Sequence, residues 1–235
     1  MSQCTGWEPI LPGSTVGILG SGQLGRMLAI EARRMGYRVE VLSPDAGTPT
    51  GQIADREHCA SYDDRAAIRQ FAENADVVTY EFENVPAETI ELMEGLAPVR
   101  PQGIALHVAQ HRLREKEFMV NNGIPVTDFK AIRDEGDIAS LVESDCPAIL
   151  KTASSGYDGK GQIRVDTLEK VEEAWNRLER QEAILERLVP FEEELSVVGV
   201  RGSDGAFAQY GPILNRHANH ILDLSILGAD LPRKA

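Results

Sequence analysis

TVGILGSGQLGRMLAIEARRMG, Thr15–Gly36, is the stretch whose reading decides the fold. Thr15–Leu19 is a short apolar run of the kind that forms a buried strand. Gly20, Gly22 and Gly25 then make a GxGxxG pattern, Arg26–Met35 carries a helical period, and Gly36 supplies a helix stop. Downstream, Arg38–Leu42 predicts a second strand, and Asp76–Phe82 predicts another that ends in acid. Helical patterns around Arg65–Glu73 and Ala87–Leu96 fall between and after them. Such alternation predicts a doubly wound α/β domain from Thr15 to about Val99, with a parallel sheet covered on both faces.

The glycine pattern admits two uses. Glycines let amides at a helix N-terminus approach a phosphate, or they simply permit close strand–helix packing. A dinucleotide site would add an acid about 20 residues on. Glu40 and Asp45 lie near that offset, but Glu40 falls inside the second strand and Asp45 follows Pro44. The pattern alone leaves both uses open.

The second half reads as α+β. Gln110–Asn122, QHRLREKEFMVNN, predicts a charged helix closed by Gly123 and Pro125, and Asp134–Glu143 a further one. Pro147–Lys151 and Gln162–Val165 predict a hairpin whose tip is the loop Thr152–Gly161. Thr167–Arg180 predicts an amphipathic helix capped by Thr167, with Leu168, Val171, Ala174, Trp175 and Leu178 on its apolar face. Ala183–Val189, Glu194–Val200 and Ala206–Gly211 predict strands.

The hairpin loop carries the most chemical information. Gly156, Gly159 and Gly161 are interleaved with Tyr157, Asp158 and Lys160, and Lys151 stands at the strand end. It is no Walker A loop, because Ser154 replaces the first glycine and Gly161 follows the lysine where Ser or Thr is required. A glycine hairpin with cations at base and tip can close over phosphates and exclude water; the plainer reading is a solvated turn. Arg112 and Lys116, four apart on a helix, either cradle an anion or form an exposed ion-paired face with Glu115 and Glu117. Glu186–Val189 with Glu194 suits an adenine edge and a ribose carboxylate, or else Glu192–Glu194 is a solvated acid run. His217 reads as a ligand or base, or as a structural histidine.

Composition narrows the partners. The 235 residues carry a formal charge of −13, from 24 basic and 37 acidic side chains. Such a surface repels polyanions, so neither nucleic acid nor an anionic membrane is expected as a partner. No apolar run approaches the roughly 18–20 residues that span a bilayer. The first 13 residues lack a signal-peptide pattern and read as an N-terminal extension, which predicts a cytoplasmic location. Cys4, Cys59 and Cys146 have no metal-ligand spacing, and no metal-ligating set is expected among these residues.

Taken in order, GILGSGQLGRMLA, YEFENVP (Tyr80–Pro86), HRLREKEFM (His111–Met119), LKTASSGYDGKGQ (Leu150–Gln162), ERLVPFEEELSVVGVRG and ILNRHANHILDLS resemble the 5-(carboxyamino)imidazole ribonucleotide synthases, an ATP-grasp family of purine biosynthesis. The likeness runs from about Val16 to Ile226. It implies a Rossmann-like (pre-ATP-grasp) parallel sheet over residues 14–108 and an α+β ATP-grasp region over 109–235. The small lid lobe would cover about 125–189, and the start of the large lobe 190–235. The region would be C-terminally incomplete. The implied enzyme is an ATP-dependent carbon–nitrogen ligase that carboxylates aminoimidazole ribonucleotide with bicarbonate through carboxyphosphate.

Carried over by position, the resemblance makes Tyr157 and Lys160 catalytic, facing carboxyphosphate and ribonucleotide. Arg112 and Lys151 become ATP phosphate contacts. Gly156, Tyr157, Asp158, Gly159, Lys160, Gly161 and Gln162 form the lid. Glu186, Arg187, Leu188 and Val189 form the adenine strand, Glu194 the ribose carboxylate, and His217 a further nucleotide contact. Gly22, Gln23, Leu24 and Glu81 would hold the ribonucleotide. ATP and Mg²⁺ are the implied cofactors, with the family's Mg²⁺ ligands lying beyond Ala235, and a homodimer is the implied assembly. The alternatives are a NAD-dependent oxidoreductase built on the glycine turn, or a non-catalytic fragment that binds ribonucleotide and ATP.

Overall fold

The structure, a computed structural model, describes residues 9–154, 161–202, 204–218 and 221–228. The chain divides into two compact units, Met1–Phe118 and Met119–Ala235.

The first unit opens with β1 (Thr15–Leu19), α1 (Gln23–Arg34), β2 (Arg38–Ser43) and β3 (Arg56–Cys59). It continues with α2 (Arg65–Asn74), β4 (Val77–Tyr80), α3 (Ala87–Glu94) and α4 (Gly103–Ala109), and reaches into α5 (Arg112–Asn121). Its four strands run parallel in the order β3-β2-β1-β4. Consecutive residues of β1, Ile18 and Leu19, are both fully buried, in different clusters. Ile18 packs with Val39, Val41 and two alanines of α1; Leu19 packs with Leu42, Phe71, Val78, Ile90 and Met93. Strand neighbours point to opposite faces, so burial of both means that helices cover the sheet on both sides. The expected doubly wound domain is therefore present.

β3 escaped the sequence reading. Its residues, REHC, show no apolar alternation, because β3 is an edge strand held by its ladder to β2 and by polar side chains. His58 of β3 pairs with Glu40 of β2 at 2.7 Å, and both side chains are largely buried. The His58 ring also meets Phe71 edge-on.

The second unit contains β5 (Phe129–Ile132), α6 (Glu135–Ala139), β6 (Ala148–Thr152), β7 (Gln162–Val165), α7 (Val171–Arg177) and β8 (Ala183–Arg187). Three long strands follow: β9 (Glu194–Arg201), β10 (Phe207–Ala218) and β11 (Ile221–Leu227). Two antiparallel sheets result, β5-β8-β6-β7 and β11-β10-β9. In the first, Ile132, Ala148, Leu150, Val165 and Leu185 pack on Val171, Ala174 and Trp175 of α7. That leaves the opposite face for Lys151 and Glu186. The second sheet is different: Val198, Val200, Phe207, Tyr210 and Leu222 are all more than half exposed, and Leu214 is its buried apolar residue among the described ones.

Several boundaries differ from expectation. Thr167 makes no side-chain cap; a 3₁₀ turn over Leu168–Lys170 precedes α7. The helix stops at Arg177 because Glu179 and Arg180 take left-handed backbone angles, while the Trp175 indole N–H donates to the Gln181 carbonyl at 2.7 Å. α6 starts just after Asp134, whose side chain accepts from the Asp137 amide, but ends after Ala139, where the Ser140 hydroxyl donates to the Asp137 carbonyl. β10 runs past Gly211 to Ala218, and β5, β11 and α4 were not anticipated. No described helix is long and apolar enough to cross a membrane.

Phe71 is fully buried between sheet and helices, and a Cβ at Gly17 would come within 2.9 Å of its ring. Phe71→Ala should therefore cost about 3–5 kcal/mol in urea unfolding of the first unit. Met35→Ala, at a 60% exposed position, should change stability by no more than about 0.5 kcal/mol.

Candidate functional site

Each unit carries a cleft built by its own strand order. In the first unit the chain leaves β1, β2 and β4 at one edge, and the register pairs Leu19 with Tyr80. The strand order reverses at β1, and crevices beyond the carboxyl ends of parallel strands are formed at such points. Gly20–Gly22 after β1 is thereby brought beside Glu81 after β4. The Gly22 amide donates to Glu81 Oε1 at 2.7 Å. Gly20 has φ +92°, and a Cβ there would meet the Phe82 side chain at 2.7 Å, so glycine is required for both reasons.

This cleft, about 520 Å³, is lined by Gly20–Gly22, Ser43, Asp45, Thr48, Tyr62, Glu81 and Phe82, among others. None of its described lining residues is a lysine or arginine. Two carboxylates and several hydroxyls suit hydrogen-bond donors such as an amine, a ring N–H or ribose hydroxyls. A phosphate would meet repulsion there, since Glu81 already occupies the anion position at the start of α1. Of the expected ribonucleotide contacts, Gly22 and Glu81 line the cleft; Gln23 and Leu24 are exposed and do not. The sequence reading missed Ser43, Thr48, Tyr62 and Phe82, which no motif ties together. Burial, with the charges of Glu81 and Asp45 beside it, pushes the Tyr62 phenol up to about 12.

In the second unit, β6 and β7 form the expected hairpin, pairing Lys151 with Gln162. Lys151 makes an ion pair with Glu186 of β8, on the sheet face turned away from α7. A second cleft, about 590 Å³, is lined by Gln162, Phe191, Glu192, Glu193, Glu194, Leu214, Asn215, Arg216 and His217. His217 Nε2 lies 3.6 Å from Glu194 Oε1. The register slips between Arg216 and His217, which pair with Leu224 and Leu222 and leave Asp223 extra. Such a bulge re-aims side chains, and both neighbours reach the cleft. Arg216 was missed because no strand was expected beyond Gly211, whereas β10 runs on to Ala218 and carries Leu214, Asn215, Arg216 and His217 along the cleft.

The structure thus brings Gln162, Glu194 and His217 to one cleft and sets Lys151 against Glu186. At the adenine-strand positions, the Arg187 amide donates to the Asp128 carbonyl and the Leu188 amide to the Pro147 carbonyl. Arg187 is ion-paired with Asp128, and Val189 is half exposed. Gly161 is a turn residue with φ +72°. Arg112 opens α5 in the first unit. Gly156, Tyr157, Asp158, Gly159 and Lys160 lie outside the described residues. Among the described residues no three His, Cys, Asp or Glu side chains converge to hold a metal ion, and Glu194 faces His217 instead. These residues do not fit a magnesium site.

Residues 14–110 match the ribonucleotide synthetase preATP-grasp domain, and residues 117–235 match the ATP-grasp domain. The chain belongs to the ATP-grasp family. It is 42% identical over 221 residues to the N5-carboxyaminoimidazole ribonucleotide synthase of Brucella melitensis, covering 93% of this chain and 61% of that protein. The Staphylococcus aureus N5-carboxyaminoimidazole synthetase complexed with ADP superposes with a TM-score of 0.88 at 32% identity, over 97% of this chain and 62% of that one. The Aspergillus clavatus enzyme in complex with ADP and 5-aminoimidazole ribonucleotide gives a TM-score of 0.81 at 26% identity, over 94% and 58%. The chain spans about three fifths of the length of the curated N5-carboxyaminoimidazole ribonucleotide synthases it matches.

Within this ATP-grasp chain, the sequence resemblance and the two-part architecture read from it hold. The nicotinamide alternative does not gain support. Glu40 is engaged by His58 rather than directed to a ribose, and the α1 N-terminus already meets the Glu81 carboxylate.

The raised Tyr62 value has a stability consequence. A phenol that ionises later in the folded chain than in the unfolded one, where 10.0 is usual, stabilises the fold below pH 10. That contribution is lost as pH rises from 10 towards about 12. Denaturant melts should show this alkaline decline, and Tyr62→Phe should remove its share of it.

Proposed function

We propose that this chain carries the ATP and ribonucleotide sites of a ligase that carboxylates 5-aminoimidazole ribonucleotide with bicarbonate in purine biosynthesis. The observation that carries the reading is the Lys151–Glu186 pair. It stands at the base of the glycine-rich hairpin loop, next to Gln162 and the cleft of Glu194 and His217, in an ATP-grasp chain whose relatives were solved with ADP.

In this reading Lys151 offers its ammonium to the ATP phosphates, and Glu186 orients it on the sheet face turned away from α7. Glu194 accepts from ribose hydroxyls, while Arg216 and His217 add positive charge or N–H donors on the same side. With the amides of Arg187 and Leu188 used inside the unit, the adenine edge falls to the Val189 amide and the neighbouring carbonyls. Arg112 and the lid residues Gly156, Tyr157, Asp158, Gly159, Lys160 and Gly161 complete the ATP contacts by sequence. Tyr157 and Lys160 are assigned by sequence alone to the carboxyphosphate and ribonucleotide side.

The chemistry follows from these assignments. A bicarbonate oxygen attacks the γ-phosphorus, ADP leaves, and carboxyphosphate forms. The exocyclic amine of the ribonucleotide attacks the carboxyl carbon, phosphate leaves, and the amine gives up a proton. Carboxyphosphate is easily hydrolysed, so a cationic lid that excludes water serves both steps. The donor-seeking first cleft suits the amine, ring and ribose of the ribonucleotide, with the amine's proton directed at Glu81. The small lobe over 125–189, a cytoplasmic location and a homodimer belong to the same proposal.

ATP should raise the thermal midpoint of the chain and NAD should leave it unchanged. Lys151→Met should weaken ATP binding by about tenfold in calorimetric titration, the loss expected of one charge-assisted contact. NAD protection without ATP protection would defeat the proposal. In the full-length protein, ADP release with ATP, Mg²⁺ and bicarbonate should rise on adding aminoimidazole ribonucleotide.

A further inference from the structure

The wall of the first cleft includes Thr48 and Pro49, which belong to a turn running from Gly47 to Gly51. This turn is not part of the sheet, yet it is fastened from two sides. Towards α1, the Thr50 amide donates to the Ser21 carbonyl at 3.0 Å and the Thr50 hydroxyl to the Gly22 carbonyl at 2.9 Å. Arg26 Nη1 holds the Pro49 carbonyl at 3.0 Å. Towards β3, one carboxylate takes three donors: the Gly47 amide at 2.9 Å, the Thr48 amide at 2.9 Å and the Thr48 hydroxyl at 2.6 Å, all to Glu57.

We propose that Glu57 is a positioning residue for the ribonucleotide cleft, clasping the 47–51 turn so that Thr48 and Pro49 form a fixed wall. This rests on the reading of that cleft as the ribonucleotide site. Glu57 does not line the cleft itself, so its effect passes through the turn. Without it, three polar groups of the turn lose their acceptor, and Thr48 is buried. The Thr48 hydroxyl, with the Thr48 and Gly47 amides, holds the Glu57 carboxyl below its usual range, as a carboxylate serving as a shared acceptor requires.

Gly51 shows how closely this clasp is built. A Cβ at Gly51 would fall 1.9 Å from Glu57 Oε1. The φ of Gly51 is not in the left-handed region, so alanine is acceptable to the backbone there. The place of the carboxylate therefore depends on Gly51 having no side chain. Gly51→Ala should displace Glu57 without deleting any hydrogen-bonding group.

The test is calorimetric titration of the chain with 5-aminoimidazole ribonucleotide, with ADP titrated in parallel. Glu57→Gln should weaken ribonucleotide binding by about tenfold, the size of one charge-assisted hydrogen bond, and leave ADP binding within twofold. Gly51→Ala should give a similar loss. In a Glu57→Ala background, Gly51→Ala should add nothing, a coupling that a purely structural role for Gly51 does not produce. Ribonucleotide binding within twofold of the unaltered chain in both single variants would overturn the clasp and leave the cleft assignment standing. No ribonucleotide binding by the unaltered chain would overturn the cleft assignment, and the proposal with it.

Discussion

Strand β1 is hydrogen-bonded on both sides, to β2 and to β4, and the chain leaves all three strands at the same edge of the sheet. Everything distinctive about the first cleft depends on this pairing. The register that sets Leu19 against Tyr80 also sets the glycine turn after β1 against the acid after β4. A slip of one residue would exchange the two faces of β1, separating Ile18 and Leu19 from their clusters and Glu81 from Gly22. The packing that buries both faces is thus what holds the cleft's polar groups in place.

The two clefts divide the charge differently. The first offers carboxylates and hydroxyls with no cation among its described lining residues, whereas the second sets Arg216 and His217 beside an acid run, with the Lys151–Glu186 pair behind Gln162. A chain of net charge −13 can still hold an anion where a few cations are placed locally. What distinguishes the sites is therefore the identity of the few side chains that the strands present, and the overall balance has little bearing on it.

Much of this was legible in the sequence because it follows from local period and punctuation. The run Thr15–Leu19, the glycine turn and the hairpin Lys151–Gln162 each announce themselves within a dozen residues. What stayed hidden depends on contacts distant along the chain. β3 is a strand because β2 lies beside it, not because REHC favours one. Tyr62 and Thr48 join the cleft only once the sheet has formed, and Arg216 joins its cleft because β10 runs on past Gly211 to Ala218. α7 ends short because Glu179 and Arg180 turn left-handed, which a helical period does not reveal.

The first sheet draws all four of its strands from one uninterrupted stretch, residues 15–80, and its covering helices come from the segments between and just after them. During synthesis a chain emerges N-terminus first, at about 5–20 residues per second, and contiguous units fold as they appear. This unit can close its core, and the glycine–carboxylate contact at the edge of the sheet, while the long strands β9–β11 are still being made. Those strands, several of whose apolar side chains stay open to solvent, are synthesised after every strand of the first sheet. The order of synthesis thus gives the parallel sheet the chance to find its partners before those strands exist.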